Sequence, residues 1–329
     1  MKQSQALIIL GMHRSGTSAT TGMLRCFGVE LGNKLYKGHA EINAKGYFEH
    51  NDITDTNDEV LLSINSIWDD ILIMPDEWWT NPKLEHYSKK ISRYLKRDFS
   101  NSKMWAIKDP RVCRIIPWWI HILDNQKIDA NYLIVVRPPD EVYLSLNRRD
   151  GFSLEKSYLL WLLHYLDAEY WTRDLNRTFV TFESLTKDPV SIFINIQSRL
   201  NLEFPVSPEN ARDCLTQFIS KDLIHHNKAA SSLDLTHPLT ELAKSLYEEL
   251  FMATLNHEYK LNTNLIDEIK QQVNSFQQSF SPLLVEQLKQ NYKIRSDLQI
   301  TMNKVFRSYS WLIGKPIRGL ERLFFGKDV

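Results

Sequence analysis

Residues 5 to 18, with the sequence QALIILGMHRSGTS, decide the fold of this chain. Ala6 to Leu10 are continuously apolar, which predicts a strand that is buried on both faces. Gly11 and Gly16 follow five residues apart, and a helical pattern begins at Thr17. Glycines between a buried strand and a helix let backbone N–H groups surround an oxyanion at the positive end of that helix. The segment therefore predicts a phosphate-binding loop.

The cation of this loop is not the one that nucleoside triphosphatases use. Thr17 stands where the pattern GxxxxGK[ST] places its lysine, and Arg14 lies inside the loop instead. A tight turn without a ligand is the alternative for two glycines alone, but the preceding strand and the hydroxyl groups argue against it. The candidate phosphate ligands are Gly11, His13, Arg14, Ser15, Gly16, Thr17 and Ser18.

Three further runs are continuously apolar and are predicted to be strands: Met104–Ile107, Tyr132–Val136 and Phe179–Phe182. Helices are predicted at Thr17–Phe27, from Leu154 to about Leu175 after a Ser153 cap, and at Pro189–Leu200 after an Asp188 cap. Strands without alternation are typical of a parallel sheet with helices on both faces. The sequence thus predicts an α/β fold, a P-loop-like three-layer α/β/α arrangement around a central parallel sheet.

Strand patterns stop near residue 238, and only helical periods follow. We therefore expect an α/β domain over 1–256 and a helical C-terminal extension over 257–329. The end of that extension is basic and amphipathic, with Lys304, Arg307, Lys315, Arg318, Arg322 and Lys327 against Glu321 and Asp328. Residues 282–329 are expected either to contact an anionic membrane surface or to associate with another copy, and both alternatives stay open.

Composition excludes several classes of protein. Lys and Arg number 40 and Asp and Glu number 40, so any basic site is local and no nucleic acid partner is expected. Cys26, Cys113 and Cys214 show no CxxC or Cys/His spacing, so neither a disulfide nor a zinc site is expected. Scattered thiols and the lack of a secretory or membrane-spanning stretch predict a cytoplasmic protein, with peripheral contact at the inner face of the membrane as an option.

The loop resembles the 5′-phosphosulfate loop of sulfotransferases that use 3′-phosphoadenosine 5′-phosphosulfate (PAPS). A second signature of that family, an Arg at the end of a central strand and a Ser eight residues later, is matched by Arg137 and Ser145. In the family this pair holds the 3′-phosphate of the cofactor, and a guanidinium with a hydroxyl suits that group. The segment WAIKDPR at 105–111, and FESL at 182–185 with Asp-Pro after it, are similar to segments of bacterial sulfotransferases associated with glycans.

The resemblance covers roughly residues 5 to 255 and implies a PAPS-dependent sulfotransferase that acts without a metal. It implies a carbohydrate hydroxyl as acceptor, on a cell-surface polysaccharide or its precursor. The loop would hold the 5′-phosphate, Arg14 would stabilise the leaving group, and Lys108 would be a second cation. Cytosolic members place a catalytic His where this chain has Pro110, and their RKGxxGDW motif is absent. The catalytic base and the adenine contacts are therefore left open.

The segment GYFEH at 46–50 is similar to an element of related enzymes whose catalytic carboxylate follows the first helix. The similarity implies Glu49 as the general base. His50 is an alternative because its imidazole titrates near neutrality, and Glu41 is a second one.

Two other functions compete with sulfuryl transfer. One is a P-loop kinase that uses Mg-ATP, in which Asp109 would hold the magnesium ion. The other is a non-catalytic polysaccharide-assembly protein that acts through its helical tail. The missing loop lysine disfavours the first, and the presence of both the loop and the Arg137–Ser145 pair disfavours the second.

Tryptophans are numerous, and aromatic faces stack on sugar rings, although a place in the core is their commoner role. The candidates are Trp78, Trp79, Trp118, Trp119, Trp161 and Trp171.

Overall fold

The computed structural model describes residues 4–36, 46–219, 238–256, 258–279 and 282–307. The chain divides into two compact units, one of Met1–Val60 with Ile71–Ser279 and the other of Leu61–Asp70 with Phe280–Val329.

A four-stranded parallel sheet forms the centre of the first unit. Its strands are β1 (Gln5–Leu10), β2 (Met104–Lys108), β3 (Asp129–Val136) and β4 (Arg177–Thr181). They lie in the order β2-β1-β3-β4. Ile8 pairs with Ile107 on one side and with Tyr132 on the other, and this register brings the carboxyl ends of β1, β2 and β3 to one edge.

The helices, in chain order, are α1 (Thr17–Leu24), α2 (Asn51–Ser63), α3 (Glu85–Phe99), α4 (Val112–Asn125), α5 (Pro139–Asp150), α6 (Leu154–Thr172), α7 (Phe182–Lys187), α8 (Pro189–Leu200), α9 (Arg212–Phe218), α10 (Pro238–Leu255), α11 (Thr263–Gln278) and α12 (Pro282–Arg307). Short 3-10 turns occur at Arg25–Phe27, Trp78–Thr80 and Pro82–Leu84.

Helices cover both faces of the sheet because successive strand residues point to opposite sides. On one face, Leu7 and Val135 pack in a cluster with α1, α7, α8 and α9, which contribute residues such as Met23 and Phe193. On the other face, α10 packs on β3 and β4, and α6 packs against α4, α5 and α10. The predicted three-layer α/β/α fold with a central parallel sheet is confirmed.

The local predictions agree closely with these elements. Ser153 accepts a hydrogen bond from the Lys156 backbone N–H, and Asp188 accepts one from Ser191, so both predicted caps form. The sequence predicts Phe182 as the last residue of a strand, whereas it is the first residue of α7. Among the residues described after position 238, every element is a helix, as expected, and α11 belongs to the first unit. The domain boundary at 256 stays a prediction.

The second unit is organised around a buried carboxylate. Asp69 is fully buried, and both of its oxygens accept from the Arg295 guanidinium of α12, at 3.2 and 3.1 Å. Tyr292 and Ser296 of the same helix are also buried. Residues 308–329, and with them most of the predicted basic end, lie outside the described residues.

None of the helices in the described ranges is long and apolar enough to cross a bilayer.

The expectation of no disulfide is wrong. Cys26 and Cys214 form a disulfide bond across a sequence separation of 188 residues. Cys26 lies in the 3-10 turn after α1, and Cys214 lies in α9, which packs against α1. Spacing along the chain carries no sign of this pairing, because it arises from the packing of two distant helices. Disulfides are typical of oxidising compartments, so the cytoplasmic location stays a prediction and scattered thiols no longer support it.

We expect the disulfide to contribute measurably to stability. Cys26→Ser with Cys214→Ser, or reduction with dithiothreitol, should lower the free energy of unfolding by roughly 2–5 kcal/mol, because the closed loop restricts the unfolded chain. Urea unfolding with and without reductant measures this change. The doubly substituted protein is the control and should not respond to dithiothreitol. Equal stability of the oxidised and reduced wild type would contradict the bond.

Candidate active site

The loop after β1 takes a conformation that requires its glycines. Gly11 and Gly16 have φ angles of 145° and 91°, and Arg14 between them is also left-handed at 69°. A Cβ atom at Gly16 would lie 2.2 Å from Cδ2 of Phe182, and one at Gly11 would lie 2.7 Å from the Val135 carbonyl oxygen. Thr17 then begins α1, whose first N–H groups have no acceptor within the helix. The start of α1 thus places N–H donors next to the loop, as an anion site requires.

Side chains of α4 and α6 support the loop through hydrogen bonds. The Gly11 N–H donates to Sγ of Cys113, at 3.1 Å. Tyr165 of α6 places its hydroxyl oxygen 3.0 Å from Oγ of Ser15 and 2.7 Å from the Val135 carbonyl oxygen. Burial raises the pKa of the Cys113 thiol to about 12, so this sulfur stays protonated. Sequence reasoning missed these supports, because nothing in the chain pattern links α4 and α6 to the loop.

Arg14 of the loop is in direct contact with both members of the predicted Arg137–Ser145 pair. Nε of Arg14 donates to Oγ of Ser145 at 2.8 Å, although the two residues are 131 positions apart. Nη1 of Arg137 donates to the carbonyl oxygen of Arg14 at 2.8 Å, and its Nε donates to Glu141 at 2.8 Å. The indole N–H of Trp161 fixes the Arg137 carbonyl oxygen. Arg14, Arg137 and Ser145 therefore form one cluster.

This cluster carries an excess of unfavourable positive charge. Desolvation lowers the pKa of Arg14, and the nearby charges of Arg149 and Arg137 lower it further. The charge of Asp150 raises the pKa of Arg14, and Asp150 is itself paired with Arg149 at 2.7 Å. Guanidinium groups that burial and mutual repulsion disfavour gain from a bound anion. The cluster is therefore suited to bind a phosphate or sulfate group.

Lys108 joins the predicted base to the loop. Its side chain is 1% exposed, and its Nζ donates to Oε1 of Glu49 at 2.6 Å and to Oγ of Ser18 at 3.0 Å. Lys108 ends β2, Ser18 lies in the first turn of α1, and Glu49 precedes α2. The structure thus brings together a carboxylate, an ammonium group and a loop hydroxyl that the sequence had suggested separately.

His50 is engaged elsewhere. It is buried, and its Nε2 lies 2.8 Å from Oδ2 of Asp98, while its Nδ1 accepts from the Ile53 N–H at 3.4 Å. Both ring nitrogens are therefore used in holding the start of α2 against α3. This arrangement favours Glu49 over His50 as a base. Glu41 lies outside the described residues.

His13 faces α6 rather than the arginine cluster. Its ring lies edge-on to that of His164, with the centroids 6.1 Å apart. Burial first, and then the charge of Arg111, holds the pKa of His13 well below its usual value. Burial lowers the pKa of His164 to about 3. Both rings are therefore neutral near pH 7.

Asp109 organises the segment after β2. It is fully buried, and its Oδ2 accepts from the Asn57 side chain at 2.9 Å. Its Oδ1 accepts from both the backbone N–H and Nη1 of Arg111, each at 3.0 Å, and Arg111 also pairs with Asp58. Because both oxygens are occupied, Asp109 acts in positioning Arg111. The described residues include no group of three or more His, Cys, Asp or Glu that could hold a metal ion.

Comparisons with known proteins give matches by structure only. No family model matches the sequence, and no curated protein matches it. The sulfotransferase domain of the Synechococcus PCC 7002 olefin synthase is 20% identical, with a TM-score of 0.42 over 75% of this chain and 95% of that one. Sulfotransferase STF9 from Mycobacterium avium is 12% identical, with a TM-score of 0.41 over 66% of this chain and 69% of that one.

A retinol dehydratase in complex with androsterone and the inactive cofactor PAP is a further structural match. It is 12% identical, with a TM-score of 0.35 over 80% of this chain and 84% of that one.

Proposed function

We propose that this chain is a sulfotransferase that moves a sulfuryl group from PAPS to a hydroxyl group of a carbohydrate. The observation that carries the proposal is the contact of Lys108 with both Glu49 and Ser18 beside a loop whose cation is Arg14. This set combines an anion site, a cation and a carboxylate, the groups that transfer to a hydroxyl requires. The carbohydrate acceptor rests on the sequence resemblance, and a cell-surface polysaccharide or its precursor remains the proposed form.

The arginine cluster fits a nucleotide with two separate phosphate groups. The glycines let the loop pack closely against Phe182 and the end of β3, and the start of α1 beside the loop offers N–H donors for a 5′-phosphate. Arg137 and Ser145 contact Arg14, so a 3′-phosphate bound by them would lie beside the same loop. The desolvated guanidinium of Arg14 gains a counter-ion when such a group binds.

The residues of the chain take distinct roles in the reaction. PAPS, when bound, supplies the sulfuryl group and takes up the electron pair of the broken S–O bond. Glu49 accepts the proton of the acceptor hydroxyl as its oxygen bonds to sulfur. Lys108 holds Glu49 in place and, with Arg14, stabilises the negative charge that develops on the departing phosphate.

Nucleotide binding tests the donor. Calorimetry should show micromolar binding of 3′-phosphoadenosine 5′-phosphate (PAP) and much weaker binding of adenosine 5′-phosphate. Arg137→Ala should weaken PAP binding roughly 10- to 100-fold, because it removes a charge-assisted contact. Arg93→Ala, which removes an exposed arginine of α3, is the control and should leave the affinity unchanged. Preference for Mg-ATP would indicate a kinase, and the absence of any nucleotide binding would favour the assembly-protein alternative.

Substitution of Glu49 tests the chemistry. Glu49→Gln should lower turnover by about 100-fold or more, the usual scale of general-base catalysis, while PAP affinity stays intact. The measurement is the rate at which radioactive sulfur passes from labelled PAPS into a polysaccharide extract. Glu85→Gln, at an exposed position of α3, serves as the matched control. Unchanged turnover in the Glu49 variant would assign the base to another residue.

A further inference from the structure

Trp79 and Trp171 are more accessible than the other candidate tryptophans. Trp78, Trp118, Trp119 and Trp161 are buried in the core, whereas Trp79 and Trp171 are only partly buried. The ring centroids of Trp79 and Trp171 lie 4.7 Å apart at an interplanar angle of 73°. The accessible pair is therefore the candidate for stacking on a ligand.

Both accessible tryptophans line a cavity of about 260 Å³ within the first unit. The segment Ile73–Trp79 forms one wall, and side chains of α4, α6 and α11 form the others. Gln277 of α11 fixes this wall, because its amide bonds to the carbonyl oxygen of Ile71 and the N–H of Ile73, at 2.6 and 2.7 Å. Trp79 and Trp171 also line an adjoining cavity of about 660 Å³.

A buried charge with an unused donor lies in the wall of the smaller cavity. The Arg114 side chain is 5% exposed, its Nε lies 3.1 Å from Oδ2 of Asp167, and its Nη2 donates to the Leu72 carbonyl oxygen at 2.9 Å. Nη1 is buried and finds no hydrogen-bond acceptor in the described ranges. An N–H group in this state costs free energy unless a ligand or water accepts from it.

Asp167 and Lys270 supply further polar groups at the cavity. Desolvation raises the pKa of Asp167 and lowers that of Lys270, and each opposes the shift of the other through its charge. Lys270 also lies over the ring of Tyr170, with Nζ 3.6 Å from the centroid. The cavity therefore presents donors, an acceptor and aromatic faces together.

The cavity begins near the end of the sheet that carries the proposed transfer site and extends toward the opposite end, where Glu169 of α6 bonds to Arg177 at the start of β4. Arg114 follows Arg111 by three residues, in the first turn of α4 after the end of β2. Asp167 follows Tyr165, which contacts Ser15 of the loop, by two residues on α6. Two helices, α4 and α6, thus carry residues of both the proposed transfer site and the cavity wall, so the cavity suits a sugar ring of a longer acceptor chain.

We propose that this cavity binds a sugar ring of the acceptor, with Trp79 and Trp171 against the C–H face of the ring and Arg114 and Asp167 bonded to its hydroxyl groups. The inference rests on the proposed function and specifies its acceptor site. An apolar alcohol would stack equally well on the tryptophans, but its single hydroxyl group offers fewer hydrogen bonds to Nη1 of Arg114 and to the Asp167 carboxylate, which already pairs with Nε of Arg114. A ring that bears neighbouring hydroxyl groups satisfies both.

Binding to a printed array of defined neutral, amino-sugar and uronic-acid oligosaccharides tests the proposal, with the full chain saturated with PAP. We expect wild type to bind at least one glycan. Trp171→Leu and Asp167→Asn should each weaken that binding by about tenfold or more, because each removes a direct ligand contact. Trp68→Leu, which changes a partly buried tryptophan of the second unit, should bind as wild type does.

PAP affinity distinguishes a failure of the cavity proposal from a failure of the proposed sulfotransferase function. If wild type binds PAP but no glycan, or if the cavity variants bind glycans as wild type does, the cavity proposal is overturned and sulfuryl transfer is untouched. If wild type fails to bind PAP, the proposed function is contradicted. Should Trp171→Leu itself lose PAP binding, its fold is damaged, and Asp167→Asn, which preserves the side-chain shape, decides the matter.

Discussion

A single buried ammonium group holds the proposed transfer site together. Lys108 ends a central strand with its side chain 1% exposed, and an unpaired charge at that position would cost several kcal/mol. Glu49 and Ser18 are the partners that remove this cost. The segment before α2 and the first turn of α1 are therefore both drawn to the end of β2. The geometry of the site follows from this one requirement.

The second part of the site is a cluster of arginines whose positive charges repel one another. Arg14 is bonded to Ser145 and, through its carbonyl oxygen, to Arg137, and burial makes the charge of Arg14 costly. Glu141 and Asp150 offset part of that cost. Because these side chains are already held in place by hydrogen bonds, the proposed phosphate site is organised before an anion binds. This preorganisation is the property that electrostatic catalysis needs.

Much of the fold could be predicted because it depends on local sequence patterns. Continuous apolar runs gave the strands, glycine spacing gave the loop, and Ser153 and Asp188 marked helix starts. The Cys26–Cys214 disulfide could not be predicted, because it depends on how α1 packs against α9. The same holds for the contacts of Lys108 with Glu49, 59 residues away, and of Tyr165 with Ser15, 150 residues away. The residue types were recognisable, but their proximity is a property of tertiary packing.

The most direct test of this account is a double-mutant cycle of Lys108→Met and Glu49→Gln on the free energy of unfolding in urea. Each single substitution leaves a largely buried charge without its counter-charge, whereas the double variant removes both charges. The account predicts that the double variant is less destabilised than the sum of the single variants by roughly 1–3 kcal/mol. Effects that add to within about 0.5 kcal/mol would contradict the coupling of lysine and carboxylate on which the proposed site depends.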